Sequence, residues 1–220
     1  MTNIEISDDL KSRLPELVLA CIECEVKVEP SGEELLNRMS ETEENIKQNL
    51  PLNKISQKSA IHASRRAYKA CGKDPARYRL SAEALTRRVV RGLGLYHINN
   101  IVDLVNLISL ETGISIGGYD AHKIEGNVRM GIGKSNEPYQ AIGRGELNVE
   151  FLPLFRDDIS AFGSPTSDSE RTSVTNATTR FLMVIIGFSG LQETEEAMKL
   201  AVDLLARYGK AGNIEHWIVR

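Results

Sequence analysis

Phe181-Leu182-Met183-Val184-Ile185-Ile186-Gly187-Phe188 has no polar side chain on either of its alternating faces. Successive side chains of a strand point to opposite sides, so such a segment is a central strand covered on both faces. The surroundings agree with that reading. Leu191 to Tyr208 has the pattern of an amphipathic helix stopped by Gly209, and Ile214-Glu215-His216-Trp217-Ile218-Val219 reads as a last strand. Further back, Gly117-Gly118-Tyr119-Asp120, Asn127-Val128-Arg129-Met130 and Glu146-Leu147-Asn148-Val149-Glu150 are short extended pieces broken by glycines. The expected fold class is α+β: a β-sheet core flanked by helices, with residues 1–220 forming one domain.

The helices cluster before Gly113. Ser31-Gly32-Glu33-Glu34 is a capping-box pattern opening an acidic helix that ends near Asn49-Leu50-Pro51. A second helix runs from about Ser56 to Cys71, closed by Gly72, with Asp74-Pro75 forcing a turn and Arg77-Tyr78-Arg79-Leu80 extended. Ser81 caps a third helix that runs to Arg91 and Gly92. A fourth spans Asn99 or Asn100 to Gly113, with Ile101, Leu104, Val105 and Ile108 as its core stripe and Asp103, Asn106 and Leu110 on another side.

Composition removes several classes of function. The 220 residues contain no apolar run of the roughly 20 a membrane helix needs, and the first residues lack the basic head and apolar stretch of a secretory signal, so a cytoplasmic protein is expected. Cys21, Cys24 and Cys71 make a disulfide framework implausible. Cys21 and Cys24 lie in Leu17 to Val28, another expected strand, where residues three apart face opposite ways and cannot chelate one ion. No metal or cofactor is expected. Gly131-Ile132-Gly133-Lys134-Ser135 lacks the spacing of a phosphate-binding loop and reads as a hairpin turn.

Charge is unevenly placed. From His62 to Arg91 nine basic residues face only Asp74 and Glu83, a block of +7 in a chain of net charge -3. Arg65, Arg66, Lys69, Arg77, Arg79, Arg87, Arg88 and Arg91 are therefore candidate phosphate readers, with an ordinary solvated face as the alternative.

Three stretches together resemble a known family. They are Gly72 to Arg88 (GKDPARYRLSAEALTRR), Ile101 to Leu110 (IVDLVNLISL) and Ile116-Gly117-Gly118-Tyr119-Asp120. In order and spacing they are similar to the B3/B4 domain, found in the β subunit of phenylalanyl-tRNA synthetase and as freestanding proteins of about this size. The resemblance covers roughly Ala60 to Ile186. It implies a tRNA or aminoacyl-tRNA partner and, in the fused enzyme, an editing pocket that hydrolyses tyrosine wrongly esterified to the phenylalanine tRNA. The family's Asp-x-x-Asn helix maps onto Asp103 and Asn106, and its turn ending in Tyr/Phe-Asp maps onto Gly117 to Asp120. The bacterial fused enzyme has a histidine where this chain has Gly117, so that imidazole's role does not transfer. The carboxylate that recognises the tyrosine hydroxyl falls within Ala161 to Arg171, where Glu170 is the best candidate.

The chemistry sought is ester cleavage. It needs a held water and donors aimed at a developing oxyanion, which the backbone amides of Gly117 and Gly118 and the amide of Asn106 can supply. Asp103, Asp120 and Glu170 are the substrate-binding candidates. Two readings stand: a tRNA-binding protein that clears mischarged esters in trans, and a non-catalytic module holding a free amino acid or similar ligand. No motif for ATP or adenylate chemistry is present, so a complete synthetase is excluded. Oligomeric state is not legible.

Overall fold

The computed structural model describes residues 1–220. In chain order the elements are β1 (Ile4–Ile6), α1 (Asp8–Arg13), β2 (Val18–Glu25), α2 (Glu33–Asn49), α3 (Ser59–Cys71), α4 (Ser81–Val90), α5 (Asn100–Thr112) and β3 (Ile116–Asp120). They continue with β4 (Val128–Ile132), β5 (Gln140–Ala141), β6 (Gly145–Glu146), β7 (Pro153–Arg156), β8 (Ala161–Gly163), β9 (Arg180–Gly187), α6 (Leu191–Tyr208) and β10 (Gly212–Val219). No helix is long and apolar enough to cross a membrane. The fold is α+β, as the alternation of patterns predicts.

Two four-stranded sheets carry the architecture, one ordered β1-β4-β7-β8 and the other β10-β2-β9-β3. The second is antiparallel throughout, and β9 lies inside it between β2 and β3. Alternation along β9 explains why no polar face was visible. Leu182, Val184 and Ile186 pack with Val128, Met130 and Phe155 of the first sheet, whereas Phe181, Met183 and Ile185 pack with Ile101, Leu104 and Ile108 of α5 and Leu204 and Leu205 of α6. Cys21 and Cys24 divide in the same way, one into each cluster, and burial pushes both thiols up to about 12. They behave as small apolar residues rather than ligands or nucleophiles.

Several local expectations change. Ser31 does not cap α2: Gly32 holds that position, and the Ser31 hydroxyl instead donates to Asp103 Oδ2 at 2.6 Å. The turn expected at Asp74-Pro75 continues through Arg77 and Tyr78, which were expected to be extended, because the Tyr78 amide bonds the Asp74 carbonyl and the Asp74 carboxylate accepts from the Ala76 amide. Ser81 is the first residue of α4, not its cap. On α5, Ile101, Leu104 and Ile108 of the predicted stripe are buried and Val105 only half-buried, whereas Leu110 and Asp103, expected on another side, are fully buried, since the helix is covered by α2, α4 and α6 as well as by the sheet. Gly72 closes α3 in the left-handed conformation at φ 94°, as predicted.

Candidate functional site

Gly117 and Gly118 belong to strand β3 and not to a turn: Gly117 pairs Val184 and Gly118 pairs Met183. Gly117 and Tyr119 therefore face the space between the two sheets, while Gly118 faces α5, where a Cβ would lie 3.2 Å from Val105 and from Phe181. Tyr119 is fully buried and meets Phe162 edge-on at 4.9 Å between ring centroids. Its hydroxyl donates to Asp168 Oδ1 at 2.9 Å, and Asp168 Oδ2 accepts from the Gly118 amide at 3.3 Å. Two glycines make room for that phenol. A Cβ on either Gly117 or Gly163 would overlap the Tyr119 hydroxyl. The glycines are needed for close approach, not for a positive φ.

The carboxylate turned inward from the 161–171 segment is thus Asp168, while Glu170 is exposed on a short 3-10 turn. Burial pushes Asp168 up to about 7, against the lowering effect of its hydrogen bonds from Tyr119 and Gly118. Burial, reinforced by the Asp168 charge, raises the Tyr119 phenol, which stays protonated and donating. The consequence for stability has a definite sign. A carboxyl whose folded value exceeds its unfolded one stabilises the fold most at low pH and loses that contribution as pH rises from about 4 through about 7. Between pH 4 and 8 the wild type should lose on the order of 2–4 kcal/mol relative to Asp168→Asn, read from urea unfolding of both proteins at each pH.

The remaining candidates do not converge with this pair. Asp103 is fully buried and accepts from the Ile98 amide at 2.9 Å as well as from Ser31, tying the segment before α5 and the start of α2 to one helix. His97 Nδ1 lies 3.7 Å from the same carboxylate. Asn106 is half-buried farther along α5, and it is Val105 that meets Gly118. Asp120 accepts from the His122 amide at 3.1 Å and the Thr178 hydroxyl at 2.8 Å, capping the turn after β3. None of the five principal cavities is lined by Asp103, Asn106, Gly117, Gly118, Asp120 or Glu170.

The basic block splits into two sets. Glu83, completely buried on α4, receives Arg65 Nη1 and Arg87 Nε at 2.8 Å each, and Arg79 Nε lies 4.0 Å away. One carboxylate thereby joins α3 to α4 and leaves its cationic partners in excess. Arg88 is held by the Gly94 carbonyl at 2.6 Å and lies 4.0 Å over the Tyr96 ring. Arg66, Lys69, Arg77 and Arg91 are exposed.

The model of the B3/4 domain family matches residues 63–218. The chain belongs to the B3/4 domain family. Phenylalanine–tRNA ligase β subunits are among its relatives: that of Bartonella henselae is 30% identical over 123 residues, 54% of this chain and 15% of the relative. That of Moorella thermoacetica is 28% identical over 132 residues, 57% of this chain and 16% of the relative. The matched region thus spans about a sixth of those subunits. An N-terminal fragment of the phenylalanyl-tRNA synthetase β subunit from Pyrococcus horikoshii shares the fold, with a TM-score of 0.50 and 16% identity over 99% of this chain and 50% of that one. The B3/4 match begins inside α3, yet the sheet that holds β3, β9 and β10 also takes in a strand from before it: β2 lies between β9 and β10 and buries seven of its eight positions.

Proposed function

We propose that this B3/4 domain binds tRNA in the cytoplasm through the α3–α4 face. The observation that carries the reading is the Glu83 anchor, which fixes Arg65, Arg79 and Arg87 where α3 meets α4, the two helices and connection that also carry the exposed Lys69, Arg77 and Arg91. Cations held in excess over a single buried carboxylate suit a polyanion, whose phosphates release counterions on contact. Lys69→Glu combined with Arg91→Glu should weaken tRNA binding by about 10- to 100-fold and remove roughly one unit of log–log salt slope per lost phosphate contact. Lys47→Glu with Lys199→Glu makes the same charge change on other helices and should leave binding within about twofold; equal losses in both pairs would mean net charge alone is read.

Deacylation in trans is the second reading, favoured by the Asp168 carboxyl beside the Gly118 amide in a slot shaped for a phenol. The chain's own Tyr119 fills that slot. Mischarged tRNA should therefore survive incubation with the wild type under conditions where it binds. Turnover above the spontaneous rate, lost in Asp168→Asn, would favour hydrolysis; stoichiometric binding of free amino acid without turnover would favour a non-catalytic ligand module.

A further inference from the structure

At the end of β9 away from Tyr119, a cleft of about 470 Å³ opens between α3, the segment after α1 and the residues following β9. Its floor is apolar, made by Leu14, Leu17, Ala63, Ala67 and Phe188. Nitrogen donors come from two separate elements: the guanidinium of Arg13 at the end of α1, and the imidazole of His62 and the guanidinium of Arg66 on α3. Unlike Arg65 and Arg87, whose guanidiniums are committed to Glu83, Arg66 has no carboxylate partner. Arg13 reaches only the Cys71 carbonyl, at 3.5 Å. A further observation also points to a ligand. Ser189 lines this cleft, and its hydroxyl is shielded from solvent without a hydrogen-bond partner, one side-chain rotation from a ligand placed there. Buried polar groups without a partner are few in folded proteins and ask for one.

We propose that this cleft binds a nucleoside monophosphate. Two guanidiniums and an imidazole from different elements suit a compact dianion better than a single carboxylate, because each can donate to a separate phosphate oxygen. The apolar floor takes the flat face of a base, with Phe188 available to stack, and Ser189, Gln57 and Glu16 supply donors and acceptors for base edge or ribose. The volume lies in the range of small-ligand sites. Arg13, Leu14 and Leu17 lie before the region matched by the B3/4 model, so the cleft is partly built from this chain's N-terminal segment.

The test is titration of the full chain with AMP, UMP, inorganic phosphate, adenosine and tyrosine, followed by calorimetry and by amide chemical shifts. AMP or UMP should saturate with a dissociation constant below about 1 mM and move Leu17, Ala63 and Ser189. Inorganic phosphate and adenosine should each bind at least tenfold more weakly. Arg13→Ala should weaken AMP binding about tenfold or more, and Ala63→Trp should abolish it by filling the floor; both leave Lys69, Arg77 and Arg91 in place, so tRNA binding on the α3–α4 face is measured separately. Circular dichroism and melting temperature establish that each variant is folded, and Arg13→Ala alone suffices if Ala63→Trp is not. The proposal is overturned if millimolar AMP and UMP move none of these amides, if inorganic phosphate binds as tightly as AMP, if Arg13→Ala leaves affinity unchanged, or if tyrosine occupies the cleft and the nucleotides do not.

Discussion

Gly117→Val destabilises this domain by at least about 3 kcal/mol, at the upper end of overpacking penalties, because its first side-chain atom would overlap the Tyr119 hydroxyl inside a closed core. The ring cannot retreat. Phe162 and Phe155 hold it edge-on at 4.9 and 6.3 Å, and Gly163 bounds the hydroxyl from the other sheet. For a chain of this size the loss corresponds to a fall of roughly 6–12 °C in melting temperature. Gly118→Ala provides the contrast: its Cβ would meet Val105 and Phe181 at 3.2 Å, a squeeze of a few tenths of an ångström that should cost about 1 kcal/mol. A double-mutant cycle makes the argument sharper. Gly117→Val and Tyr119→Ala should be less damaging together than the sum of the two, since the valine occupies part of the vacated space. Strict additivity would mean the two residues do not share it.

Glu83→Ala should cost about 3 kcal/mol, the low end for breaking a buried ion pair. Glu83 is fully buried, but its partners are not: the side chains of Arg65, Arg79 and Arg87 keep 24%, 41% and 20% of their exposure and can regain some water. The substitution still leaves guanidiniums converging without a counter-charge and severs the joint between α3 and α4. Urea unfolding measures the loss. Lys210→Ala, which breaks an exposed pair with Glu29, should shift stability by less than about 0.5 kcal/mol.

Pattern carried the scaffold further than the site. The two-sided apolar run of β9, three of the four positions of the stripe Ile101, Leu104, Val105 and Ile108, and helix α6 with its glycine stop each follow from one periodicity that burial obeys, Val105 being only half-buried. The failures share a cause, which is that a polar residue's partner is distant in sequence. Ser31 looked like a cap because Asp103, 72 residues away, was not visible as its acceptor. Glu83 looked like a stray acid in a basic block, although that isolation is what a shared anchor for several arginines looks like in one dimension. Gly117-Gly118 suggested a turn because glycine pairs usually supply positive φ; here both lie in a strand whose partner is 65 or more residues on, Gly117 making room for Tyr119 and Gly118 lying against Val105 and Phe181. Asp168 and Glu170 were indistinguishable in a polar loop. What turns Asp168 inward is backbone pairing, with the Ser169 amide on the Phe162 carbonyl and the Ile142 amide on the Asp168 carbonyl.

The most direct measurement of the central claim is the affinity of the wild type for unfractionated tRNA across about 50 to 300 mM KCl. Three exposed bases, Lys69, Arg77 and Arg91, each neutralising one phosphate, predict a log–log slope between about -2 and -3, with binding readily detected at the lowest salt. A slope near zero, or no binding at 50 mM KCl, would contradict it.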